Sequence, residues 1–199
     1  MDGMTVHHFD AAAIDPTPWK NGGGDTREVL CWPSGAGFDT FDWRVSLATI
    51  ASSGPFSSFP GIDRTIMLMD GQGVRLRSKD DGIDHRLDTP WEPFAFPGEA
   101  AIFGKLMDGT TTDFNLMVRR GRLQPRIEIH RKAFKLDASK HGFLMSLSGT
   151  WRLVVGSGDL LCPPQQGLWW ADTRHHVKAA PESNDGSAAM LSIRLEPVT

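Results

Sequence analysis

A chain of 199 residues, 40% hydrophobic and 23% charged, is long enough to bury a sizeable core and too apolar to stay disordered. A formal charge of −3 argues against a nucleic-acid binder, and two cysteines without a C-x-x-C spacing, Cys31 and Cys162, exclude a zinc knuckle or a thioredoxin-type centre. With 21 glycines and 13 prolines, turn formers are dense enough to disfavour a helical bundle and favour many short strands.

Met1–Phe9 carries no basic segment followed by an apolar run, and the first basic residue is Lys20, so no secretory signal is expected. No apolar stretch approaches the roughly 18–20 residues that span a bilayer. The expectation is a cytoplasmic protein with no membrane partner. Helix signals are few: a short helix near Asp10–Ile14, or a turn after Asp137. The stretch Trp19-Lys-Asn-Gly-Gly-Gly-Asp-Thr-Arg27 follows. Three consecutive glycines cost conformational entropy and make sense where backbone passes close to a ligand or another strand. Exposed N–H groups there could also form an anion nest. The run lacks the Gly-Lys-Ser/Thr ending of a Walker loop and the strand–helix setting of a dinucleotide fingerprint.

Phe41–Ile50 is the first clear strand. It sets Asp42, Arg44, Ser46 and Ala48 on one face and Trp43, Val45, Leu47 and Thr49 on the other. Phe56–Arg64 comes next, its Pro60-Gly61 suited to the centre of a type II turn. Its Asp63-Arg64 pair could be a surface ion pair or fix a loop over a pocket rim lined by Phe56 and Phe59. Thr65–Met69 and Gly73–Arg77 read as strands. Thr112–Arg119 is another, with Asp113, Asn115, Met117 and Arg119 alternating against Phe114, Leu116 and Val118. The polar faces fit two accounts: the solvent side of an antiparallel sheet, or a polar lumen that binds a small molecule. In the second, Arg44, Ser46, Asp113, Asn115 and Arg119 converge, and arginine suits bidentate capture of a carboxylate.

Gly121–Pro125 marks the expected domain boundary, between 1–120 and 121–199. Gly149–Val155 and Met190–Leu195 are further strands, and Pro181–Ser187 is a solvent loop. Gly71 and Gly149 lie 78 residues apart, and Arg119 and Arg194 lie 75 apart, which suggests two copies of one β unit. The seven histidines form no H-x-H or H-E-x-x-H pattern, so neither a metal nor any other cofactor is expected. No nucleophile elbow or Ser/His/Asp grouping is present.

Trp19–Glu28, Phe41–Ile50, Ser53–Arg64 and Asp113–Arg119 together resemble the HutD/Ves family. The resemblance is strong over about residues 14–120 and looser beyond. It implies an all-β bicupin: two cupin-like jelly-roll β-barrels packed in one compact chain, without the usual cupin metal motif. The 1–120 barrel would hold the ligand pocket and the 121–199 barrel would be degenerate. Family members are often encoded with histidine-utilisation genes or described as stress-induced. The positions matching the family's motifs are Asn21, Gly22, Gly23, Gly24, Thr26, Arg44, Ser46, Arg64, Asp113, Asn115 and Arg119. The implied function is binding of a small anionic metabolite, a carboxylate, in regulation of histidine utilisation or the stress response. A metal-independent isomerase or epimerase acting through Asp113 is the alternative. A homodimer is compatible with this reading.

Overall fold

The computed structural model describes residues 6–183 and 185–198. The described residues are all-β, apart from one short 3-10 turn. Strand β1 (His7–Asp10) precedes that turn (Ala11–Ala13), and β2 (Thr17–Pro18) and β3 (Gly24–Trp32) follow it. Next come β4 (Trp43–Ile50), β5 (Gly54–Pro55), β6 (Ile62–Asp70), β7 (Val74–Ser78), β8 (Ile83–Leu87), β9 (Phe94–Pro97), β10 (Phe103–Leu106) and β11 (Thr111–Arg119). The remainder holds β12 (Leu123–His130), β13 (Phe134–Ser139), β14 (His141–Ser148), β15 (Trp151–Val155), β16 (Gly158–Cys162), β17 (Gln166–Trp170), β18 (His175–Pro181) and β19 (Ala189–Pro197).

The chain divides into two compact units, Ile14–Arg122 and Met1–Ala13 with Leu123–Thr199. In the first, one sheet runs β2-β3-β4-β11-β6-β9 and the other β5-β10-β7-β8. In the second, one runs β1-β17-β14-β19-β12 and the other β13-β18-β15-β16. Removing β1, β2 and β3 leaves eight strands per unit in the same order, a two-sheet jelly roll. The repeat expected from glycine spacing is therefore a repeat of topology. The barrels take the form of paired open sheets, and among the described residues no sheet closes on itself. A cut at 120/121 falls in the turn between β11 and β12, but β1 lies with the C-terminal strands, where it pairs antiparallel with β17.

Each core forms where its two sheets face. In Ile14–Arg122, Ile50, Ile66, Leu68 and Phe96 of one sheet pack with Val74, Leu76 and Leu87 of the other. In the other unit, Leu144, Leu168, Trp170 and Met190 pack with Leu136, Trp151, Leu153, Cys162 and Val177.

The expected strands are present with shifted ends. The turn expected after Asp137 is instead interior to β13, and the helix near Asp10–Ile14 shrinks to one 3-10 turn. Pro60-Gly61 turns as expected: Ile62 N–H donates to Phe59 O at 3.2 Å, and Gly61 has φ of 75°. Pro125 sits inside β12, which an edge strand tolerates because no neighbour needs its missing N–H. Of the Pro181–Ser187 loop, Asn184 lies outside the described residues, as do Met1–Thr5 of the N-terminal stretch. No helix among the described residues is long and apolar enough to cross a membrane.

Candidate functional site

The site is built from cross-strand register in the six-stranded sheet. Residues opposite one another in a ladder share a face, and so do residues two apart. Arg44 pairs with Met117 and Met117 with Arg64, giving one row across β4, β11 and β6. The next row is Glu28, Ser46, Asn115 and Ile66, and the one after is Thr26, Ala48, Asp113 and Leu68. The polar face of β4 and β11 is thus turned inward. Arg44, Ser46, Arg64, Asp113 and Asn115 are all buried, which rules out the solvent-facing account. They line a cavity of about 650 Å³. Trp19, Lys20 and Asn21 extend its wall, and Phe38, Phe56 and Phe59 add aromatic surface.

Arg44 is held by short-range partners. Its Nε donates to Glu28 Oε2 at 2.6 Å, and one terminal nitrogen donates to Ser46 Oγ at 3.4 Å. The Phe38 ring lies 5.3 Å from the guanidinium carbon. Arg64 is held differently. Its guanidinium lies 5.1–5.6 Å from the ring centres of Phe96, Phe56 and Phe59, and among the described residues its only protein hydrogen bond goes to Ser57 O at 3.4 Å. Its Nε is buried with no protein partner among the described residues. Burial pulls this guanidinium down to about 10, with the Asp113 charge opposing.

Asp113 has 2% of its surface exposed, and its Oδ1 has no hydrogen-bond partner among the described residues. Burial pushes its carboxyl up to about 7, against the smaller pull of Arg64 and of its own backbone amide. Asn115 Oδ1 is likewise buried and unpartnered. The cavity therefore presents two guanidiniums, one protonatable carboxyl and one amide, with capacity unspent on the protein.

The remaining expected residues fall into three groups. Asn21 and Thr26 line the cavity, but their oxygens already accept from Gly23 N–H and Trp19 Nε1–H at 2.9 and 2.8 Å. Gly22, Gly23 and Gly24 do not line it; they build the β2–β3 turn. Gly22 has φ of 71°, and a Cβ on Gly24 would lie 2.0 Å from Thr49 O. The run is explained by close approach to a strand. Arg119 lies beyond the cavity, with its Nε donating to Phe41 O at 2.8 Å. Residues the sequence reading did not place at the site are Glu28, Trp19, Lys20 and Phe38. Glu28 had a usable signal, since its two-residue spacing from Thr26 gives it the same face.

The matching positions of the C-terminal unit carry different residues. Gly142 occupies the register position of Arg64, beside Trp170 where Arg64 has Phe96. A Cβ on Gly142 would lie 2.1 Å from the Trp170 ring, so the indole takes the space of the arginine stem. Met190 stands in place of Asp113, opposite His130 and Ser146. The register thus matches Arg194 to Met117, not to Arg119 as the 75-residue spacing suggested. Among the described residues, no three His, Cys, Asp or Glu side chains converge to hold a metal ion.

A family model, HutD, matches residues 11–187. The chain belongs to the HutD family. A relative, Protein Ves of Cronobacter sakazakii, is 36% identical over 174 residues, which cover 87% of this HutD-family chain and 91% of that protein. The structure of HutD from Pseudomonas fluorescens SBW25 superposes with a TM-score of 0.80 at 27% identity, covering 98% and 100% of the two chains. A conserved protein of unknown function from Pseudomonas aeruginosa PAO1 gives 0.85 at 26%, covering 96% and 99%. A cupin 2 conserved barrel domain protein from Leptotrichia buccalis, at 0.61 and 11%, covers 96% of each chain and supports a cupin-like fold alone.

Proposed function

We propose that this HutD-family protein is a binding protein for a small carboxylate, held in the cavity of the Ile14–Arg122 unit. The observation that carries the reading is the row Arg44–Met117–Arg64. Two guanidiniums more than nine-tenths buried flank one methionine on the inward face of a rigid sheet. Strands lie about 4.8 Å apart, so the two arginine backbones stand roughly 10 Å apart. Burying a guanidinium is unfavourable unless it gains a partner, and Arg64 has little from the protein. A carboxylate would supply that partner, with each charge-assisted hydrogen bond worth about 1.5–3 kcal/mol. The role we assign is sensing or sequestering an acid of histidine breakdown, or of a stress response, within the cell. Glu28 accepts from Arg44 Nε and so fixes the orientation of that guanidinium.

A thermal-shift screen against urocanate, formiminoglutamate, formylglutamate, glutamate, histidine and citrate tests this. A ligand at 100 times its Kd should add about 2.7 kcal/mol of apparent stability. The expected result is a selective shift that Arg44→Ala or Arg64→Ala removes. No shift with any acid at millimolar concentration would overturn the reading.

One observation favours a second reading. A buried carboxyl poised at about 7 suits a general acid or base, so Asp113 could serve an isomerase or epimerase on the same acid. Turnover abolished by Asp113→Asn, with binding intact, would establish it.

A further inference from the structure

Among the described residues, three side-chain atoms of cavity-lining residues have no hydrogen-bond partner, and they are of two kinds. Arg64 Nε is a donor, whereas Asp113 Oδ1 and Asn115 Oδ1 are acceptors, and all three are buried. A bare carboxylate satisfies only the donor. It would also lie beside two acceptor oxygens with nothing to give them. Ionised, Asp113 accepts at both oxygens; protonated, it donates through its O–H but keeps one oxygen that only accepts, so an acceptor remains in either state. The two acceptors lie in successive rows of β11, and Asn115 stands between Asp113 and the Arg44–Arg64 row. An acceptor left unpaired in a buried site costs more than a made hydrogen bond gains, which makes such groups strong discriminators.

Resting on the carboxylate reading, we propose that the cavity takes an anion bearing a second polar group, an N–H or O–H donor. The arginines hold the anionic end, and Asp113 with Asn115 accepts from the donor. The ligand class is thus a hydroxy acid or an N–H-bearing acid. A simple alkyl carboxylate of the same length leaves the acceptors unserved. Aromatic surface from Phe56 and Phe59 then covers the hydrocarbon between the two polar ends.

Matched pairs test this with the full chain: lactate against propionate, malate against succinate, and 2-hydroxyglutarate against glutarate. Calorimetry should give the hydroxylated member of at least one pair an affinity about tenfold or more above its partner. In Asp113→Ala the preference should fall to within about twofold, while the simple acid's affinity stays within about threefold. Asp113→Asn, which keeps an acceptor oxygen, should retain most of the preference. Equal affinities within every pair in the wild-type protein would overturn the inference and leave the carboxylate reading standing. So would a preference that survives Asp113→Ala unchanged. If none of the six binds while citrate or urocanate does, that acid is compared with its analogue lacking the donor, tricarballylate for citrate or the N-methylated acid for urocanate, and equal affinities there would also overturn it. Absence of binding by every acid in both experiments would instead remove the carboxylate reading on which it rests. Should Asp113→Ala not fold, the wild-type comparison decides alone.

Discussion

At the scale of single residues, Asp113 illustrates a group kept in an unfavourable place. Its folded-state carboxyl sits near 7, above the model-peptide range near 4, so the folded protein resists ionising it. The unfolded chain releases this proton first, from about pH 4 upward. Wild-type stability relative to a variant lacking the charge is therefore greatest below about pH 4, falls as pH rises, and levels off above about 7. Asp113→Asn should accordingly melt higher than wild type at pH 8, with the gap closing toward pH 4. Melting curves across that range check the sign; a wild type that gains on Asp113→Asn as pH rises would show the carboxylate to be favourably solvated. A buried charge whose removal stabilises the fold is the pattern expected where a site is held ready for a ligand.

At the scale of elements, the glycine run separates two kinds of glycine. Gly24 sits where a Cβ would strike the Thr49 carbonyl, which is backbone and cannot move aside. Gly22 faces open space and needs only its positive φ. Gly24→Ala should cost several kcal/mol or prevent folding of the β2–β3 hairpin, whereas Gly22→Ala should cost about 1 kcal/mol. Denaturant midpoints distinguish them. The same elements show what the sequence could and could not reveal. Alternation in β4 and β11 made their inward faces readable, because Arg44, Ser46, Asp113 and Asn115 occupy strict period-two positions. Strand β3 is hidden because its first residue belongs to a glycine run, which reads as a close approach of backbone and not as the start of a strand. A shift in register between Glu28 and Leu30 also breaks its alternation. Arg119 keeps the same parity as Asp113 but runs past the end of the cavity, and parity carries no information about where a cavity stops. Asn21 and Thr26 do line the cavity, but their protein partners, Gly23 N–H and the Trp19 indole, are visible only in three dimensions.

At the scale of the whole molecule, two eight-strand jelly rolls of identical order differ in what fills them. One encloses a polar cavity, and the other replaces arginine with Gly142 and fills the space with Trp170. The second is completed by a strand from the opposite end of the chain. Phe9 stacks on Phe143 at 5.1 Å, His7 on Trp169 at 4.0 Å, and Gln166 donates to Asp10 at 2.9 Å. Removing residues 1–10 should therefore expose the β17 edge. Hydrogen exchange should quicken at Gly167 and Trp169 while amides of β4, β6 and β11 keep their protection. Equal loss across the chain would show that β1 supports more than its own sheet. This pairing also sets an order of events on the ribosome. Every strand of Ile14–Arg122 has been made once Arg122 is added, whereas β1 must wait for a partner synthesised some 160 residues later. The cavity-bearing half can assemble while translation continues, and β1, made before any strand of that half, is among the last to find its place.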